Sequence, residues 1–179
     1  MPGMDLKDPG VVVRVARPDE YDAVGELTVE VYVGAGYVRA GSWYAGELAD
    51  TRRRATSARI LVATHADRII GSLTVAHAGT PYAEIAQPGE LEFRMLAVAK
   101  SARGLGAGTA LVRTVIDLAR AEGCTAVALT TMPAMVDARR IYDRLGFFPA
   151  PARDWRSSEG DLLTVLRLPV DLSGSAPAR

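Results

Sequence analysis

The chain has 179 residues, of which 49% are hydrophobic and 23% charged, a balance that suits one globular domain and excludes a disordered or fibrous chain. Its 21 Lys and Arg offset its 21 Asp and Glu, and no basic run forms a stripe, so nucleic acid is not an expected partner. The single cysteine, Cys124, cannot close an internal disulfide, and with only His65 and His77 beside it no metal-type spacing exists, so no metal is expected.

The opening MPGMDLKDPG lacks the apolar stretch of a signal peptide, and the longest apolar runs fall far short of the roughly 20 residues of a membrane span. A cytoplasmic chain without a membrane partner is the expectation. One domain should cover residues 11–170, with loose tails at 1–10 and 171–179.

In chain order, the β-branched run Val11 to Ala16 reads as a strand. Pro18 with Asp19 and Glu20 then signals a helix start. From Tyr21 to about Val33, Tyr21, Val24, Leu27 and Val31 recur at three and four, predicting one buried helical stripe that Gly34 and Gly36 end. Tyr44 to about Ser57, with Arg52, Arg53 and Arg54, predicts a short surface helix. Ala58 to Thr64 and Ile69 to Ala76 predict a hairpin about His65-Ala66-Asp67-Arg68.

Beyond a loop holding Pro81 and Pro88, Leu91 to Val98 reads as a strand, and Gly106 to Glu122 as an amphipathic helix stopped by Gly123. Ala126 to Thr130 is a strand, Pro133 to Leu145 a helix ending at Gly146, and Leu162 to Leu168 the last strand. The order is that of a mixed α/β domain with one sheet.

Between the Leu91 to Val98 strand and its following helix stands RGLGAGT, Arg103 to Thr109. The bare N–H groups of a first helical turn form an anion site, and missing Cβ atoms at Gly104, Gly106 and Gly108 let a phosphate approach. Arg103 adds a guanidinium fork. A tight turn with close helix packing would use the same glycines. A Walker loop needs a lysine after its last glycine, and Thr109-Ala110 follow here; a dinucleotide fingerprint belongs in a chain-initial βαβ unit.

Arg103-x-x-Gly106-x-Gly108 after a strand and before a helix resembles the acetyl-CoA loop of the GNAT superfamily of N-acetyltransferases. Leu91-Glu92-Phe93-Arg94-Met95-Leu96-Ala97-Val98 resembles that fold's fourth strand. Ala138-Arg139-Arg140-Ile141-Tyr142-Asp143-Arg144-Leu145-Gly146-Phe147 resembles its A-x-x-x-Y-x-x-x-G-F helix end.

The resemblance implies an α/β (α+β) GNAT fold, with one mixed, mostly antiparallel sheet splayed between strands 4 and 5 and about four flanking helices. It implies acetyl transfer from acetyl-CoA to a primary amine of a small molecule or peptide by direct attack in a ternary complex, and it admits a homodimer. Leu96, Ala97 and Val98 would pair with the pantetheine arm. Arg103, Gly104, Leu105, Gly106, Ala107, Gly108 and Thr109 would hold the pyrophosphate.

Tyr142 matches the family's tyrosine near the CoA sulfur, a proton donor to the departing thiolate. Glu92 is the first candidate for general base, matching a carboxylate of the family's fourth strand, on the face that two-residue periodicity shares among Glu92, Arg94 and Leu96. Glu90 is the reserve. Met135 stands where the family often has asparagine, and Leu129-Thr130-Thr131 lacks the glutamate of some fifth strands. Tyr32, Tyr37, Trp43 and Tyr44 suggest an aromatic-lined acceptor pocket, as they equally suggest loop packing.

Two other readings stand beside this one: a non-catalytic acetyl-CoA sensing module of the same fold, and a nucleotide-binding protein, which the missing lysine disfavours.

Overall fold

A computed structural model describes residues 10–171. The expected tails lie outside the described residues apart from Gly10 and Asp171. Eight strands form one open sheet: β1 (Val12–Val15), β2 (Arg59–His65), β3 (Arg68–His77), β4 (Glu90–Val98), β5 (Ala126–Thr131), β6 (Phe148–Pro149), β7 (Trp155–Arg156) and β8 (Leu162–Pro169). The order is β1-β2-β3-β4-β5-β8-β6, with β7 paired to β8. Only β4 and β5 run parallel, because the helix α4 (Ala107–Ala121) carries the chain back across the sheet between them.

The β2–β3 turn matches the expectation. Ala66 and Asp67 take φ of 47° and 59°, the geometry whose twist suits a two-residue hairpin.

Helices cover both faces. Leu111, Val115 and Ala119 of α4 recur at helical spacing and bury fully on one face with Leu61, Leu73, Leu91 and Phe93. On the other, Val24 of α1 (Tyr21–Gly34) packs with Ile60 and Val62, the alternate residues of β2. No described helix is long and apolar enough to cross a membrane.

Several local expectations shift. The buried stripe of α1 is Val24, Thr28 and Tyr32, with Tyr21, Leu27 and Val31 only half-buried. Thr28 tolerates burial because its hydroxyl donates to the Val24 carbonyl. The single helix expected over Tyr44 to Ser57 is two, α2 (Trp43–Ala49) and α3 (Thr51–Arg54), broken at Asp50, whose side chain caps the second.

Arg54, expected on the surface, is buried. Its guanidinium donates to the carbonyls of Glu47 and Leu48 and to the Thr51 hydroxyl, satisfying the end of α2. The helix α5 (Val136–Arg144) begins three residues later than Pro133. The strands β6 and β7 were not expected; at two residues each they are too short to show a period.

Candidate active site

Strand β4 is bulged. Ser72 pairs with Ala97 but Thr74 with Arg94, so Met95 and Leu96 together face Leu73, and Met95 takes φ of 58°. The extra residue reverses the alternation. Leu91 and Phe93 before it, and Leu96 and Val98 after it, pack on the α4 side, whereas Met95 and Ala97 pack with Tyr32 and Leu48. Glu92 and Leu96 therefore point to opposite faces, contrary to the two-residue count.

The same strand parts from β5. Pairing runs only from Glu90↔Ala126 to Phe93↔Leu129, which leaves residues 94–98 without a partner strand on that side. That free edge includes Leu96, Ala97 and Val98, whose β3 side remains paired at Ser72 and Gly71.

The glycine loop lies just beyond. Gly104 and Gly106 have φ of +88° and +79°, and a Cβ at either would meet nothing within 4 Å. Both conformations favour glycine. Gly106 is the N-cap of α4, and among the described residues the N–H groups of Ala107, Gly108 and Thr109 donate to no backbone acceptor. Arg103 and Leu105 are exposed.

Two features of this loop refine the expectations. A Cβ on Gly108 would lie 2.7 Å from Ile141 Cδ1 of α5, so this glycine also serves helix–helix approach. The Arg103 side chain is 62% exposed and only 3.9 Å from Asp137, so its fork is not held in place.

Tyr142, on α5, is 4% exposed, with its ring against Phe93 and Phe147. Burial raises its phenol well above the usual range, so it stays protonated at working pH. It lines a small cavity of about 50 Å³ with Phe93, Leu96 and Ala138, at the parting of β4 and β5.

This space adjoins a larger cavity of about 710 Å³, the two sharing Tyr32, Tyr37, Arg94, Met95, Thr130 and Met135. The four aromatic residues singled out by the sequence, Tyr32, Tyr37, Trp43 and Tyr44, all line the larger one. Met135, in the position of the expected asparagine, gives α5 no side-chain cap.

Glu92 is 0% exposed and lines neither cavity. Its Oε2 accepts from the N–H groups of Ile85 and Ala86, while Oε1 has no partner among the described residues. Burial outweighs those two bonds and raises the carboxyl. Glu90, the reserve, is differently placed. Burial pushes it up, but bonds from Arg153, the Gln87 N–H and Arg167 prevail and hold it at about 2. A carboxylate so fixed is a structural anchor and no proton acceptor.

Sequence reasoning missed Arg94 as a cavity residue. It pairs with Glu84 at 2.7 Å and donates to the Tyr82 carbonyl. It also missed the segment from Ser157 to Leu163 in the wall, for which no local signal exists. Nor could spacing bring together His77, Glu122 and Cys124, whose ligand atoms lie within 4.8 Å of one another. His77 and Glu122 are already joined at 2.6 Å, with Arg59 on the other carboxylate oxygen at 2.8 Å. This network is satisfied without an ion.

Residues 23–147 match the Acetyltransferase (GNAT) family. Among curated proteins, the chain is 43% identical over 58 residues to one from Xenopus tropicalis named "Probable N-acetyltransferase camello". That match covers 32% of the chain and about a quarter, 26%, of the relative's length.

Among solved structures, a GNAT-family acetyltransferase from Staphylococcus aureus Mu50 superposes with a TM-score of 0.72 at 14% identity, covering 90% of this chain and all of that one. A protein from Salmonella typhimurium, described as an acetyltransferase and solved with its cofactor acetyl-CoA, gives 0.65 at 19% identity over 94% and 98%. The ribosomal-protein-S18-alanine N-acetyltransferase of Escherichia coli gives 0.63 at 15% over 94% and 99%. At these identities the likeness is one of fold.

Proposed function

Because the chain belongs to the acetyltransferase (GNAT) family, we propose that it moves an acetyl group from acetyl-CoA to a primary amine, by direct attack while both substrates are bound. The observation that carries this reading is a junction. The unpaired edge of β4 at residues 94–98 runs from the Tyr142 phenol, beside a cavity large enough for an acceptor, to the bare first turn of α4, where Gly108 lies against Val98 and Ile141.

Acetyl-CoA, when bound, supplies the acetyl group as a thioester. Its pyrophosphate would rest on the N–H groups opened by Gly104 and Gly106, where the dipole of α4 favours negative charge. The amides of the pantetheine arm would pair with the free edge at Leu96, Ala97 and Val98, much as a β5 residue would have done. One N–H on this edge would polarise the thioester carbonyl.

Tyr142 gives a proton to the departing thiolate. Its hydroxyl donates to nothing among the described residues, and the burial that raises the phenol raises a thiol beside it as well, so positioning governs the transfer. Glu92 takes the proton of the amine. Its raised carboxyl and unpartnered Oε1 support this role. Glu92 is fully buried and lines neither cavity, so this role requires the segment at Ile85 and Ala86 that covers it to admit a water between its carboxyl and the amine.

Cys124 takes no part. Its thiol is buried and raised first by that burial, and it lies two residues before β5, at the opposite end of that strand's β4 pairing from the splay that follows Phe93↔Leu129. The phenol at the junction favours turnover over a sensing module. Initial rates of thiol release against both substrates test the reading: intersecting double-reciprocal lines are expected, and parallel lines would indicate a covalent enzyme intermediate. Calorimetry should show acetyl-CoA binding and no ATP binding.

A further inference from the structure

We propose that the acceptor is an arylalkylamine: a primary amine on a flat apolar body, with no carboxylate beside it. This rests on the acetyl-transfer reading and names its acceptor. Three observations lead to it.

The first is the wall. Tyr32, Tyr37, Trp43, Tyr44 and Trp155 surround the 710 Å³ cavity, a size suited to a single small molecule. Trp43 stands 65% exposed at the start of α2, with its ring edge-on to Tyr44 at 5.6 Å, so the aromatic surface continues out to the mouth. A flat apolar ligand gains from burial against such rings, and a protonated amine gains from their faces.

The second is the fate of the cations. Arg94 and Arg153 line the cavity, but Arg94 is held by Glu84 at 2.7 Å and Arg153 by Glu90 at 2.8 Å. Neither guanidinium is free to receive a carboxylate.

The third is the rim. Glu159 and Asp161 also line the cavity, are exposed, and have no ion-pair partner among the described residues. Unpaired carboxylates at a mouth draw in an ammonium and repel an amino acid's carboxylate.

The test uses the whole chain. Both of its tryptophans, Trp43 and Trp155, line this cavity, so their fluorescence reports amine binding without turnover. Phenethylamine, phenylalanine and ethanolamine are titrated in turn, and each is then assayed with acetyl-CoA by thiol release. Phenethylamine should be preferred to each of the others by about 100-fold in Kd and in kcat/KM. Trp43→Ala, at an exposed side chain, should weaken phenethylamine about tenfold and leave acetyl-CoA affinity unchanged. The double variant Glu159→Gln, Asp161→Asn should narrow the preference over phenylalanine about tenfold.

Phenylalanine or ethanolamine binding within about threefold of phenethylamine would overturn the proposal, whether or not thiol is released. Selective binding of phenethylamine without thiol release would uphold the pocket's chemistry and remove the acetyl-transfer reading.

Discussion

The ring of Tyr142 lies 5.8 Å from that of Phe93 and tilted at 60° to it, and Phe93 is the last residue of β4 paired with β5. The phenol is thus fixed at the point where the sheet opens. Phenylalanine at position 142 keeps the ring and removes only the proton donor. Thiol release by Tyr142→Phe should fall by about 10²- to 10⁴-fold, with acetyl-CoA affinity and thermal midpoint little changed. Parental turnover would mean that the thiolate leaves without help from this residue.

Gly106 and Gly108 should fail differently. Gly106→Asn tolerates the left-handed backbone, so the fold survives, but its side chain covers the first-turn N–H groups and acetyl-CoA binding should be lost. Gly108→Val instead drives a side chain into Ile141 and should cost about 1–3 kcal/mol of stability, read as a lower midpoint. Calorimetry showing parental affinity in folded Gly106→Asn would refute the cradle.

Glu92→Gln keeps an oxygen for the Ile85 and Ala86 N–H groups. Turnover should drop about 10²-fold where the acceptor is an ammonium, and the deficit should close as pH nears the amine's pKa of about 10. Stability should move the other way. A carboxyl raised by burial stabilises the fold while protonated and loses that contribution as pH climbs through its folded pKa, so the neutral variant should melt no lower than the parent at pH 7. Superimposable pH–rate profiles would remove Glu92 as proton acceptor.

Glu90 provides the opposite case. Its carboxyl, held at about 2 against an ordinary value near 4.5, contributes stability that is present above pH 4.5 and is lost as pH falls toward 2. The shift corresponds to about 3 kcal/mol. Glu90→Gln should lower the midpoint at pH 7 by that order and flatten its fall in acid. If the variant melts like the parent, the Arg153 and Arg167 bonds contribute nothing net.

Much of the site was legible because its parts are local. Glycines before an amphipathic helix specify a left-handed entry and free N–H groups within a few residues, and Tyr142-x-x-x-Gly146-Phe147 places the phenol one turn before the Gly146 stop, in the last turn of α5. Burial periodicity found all six long strands and both long helices of the core. Rotation of the α1 stripe escaped it, because Thr28 carries its own hydrogen-bond partner into the core.

What the tertiary structure decided depends on partners far along the chain. Met95 carries no residue-type signal for a positive φ; packing around β4 imposes the bulge, which turns Glu92 and Leu96 to opposite faces. Gly108 is confined by Ile141 of another helix, whereas nothing lies within 4 Å of a Cβ on Gly106. Glu90 is anchored by arginines 63 and 77 positions away, and this removes it as a base. Backbone conformation and helix ends follow from neighbours in sequence, whereas protonation, burial and the division of carboxylates into anchor and acceptor follow from which charges the fold brings within hydrogen-bond reach.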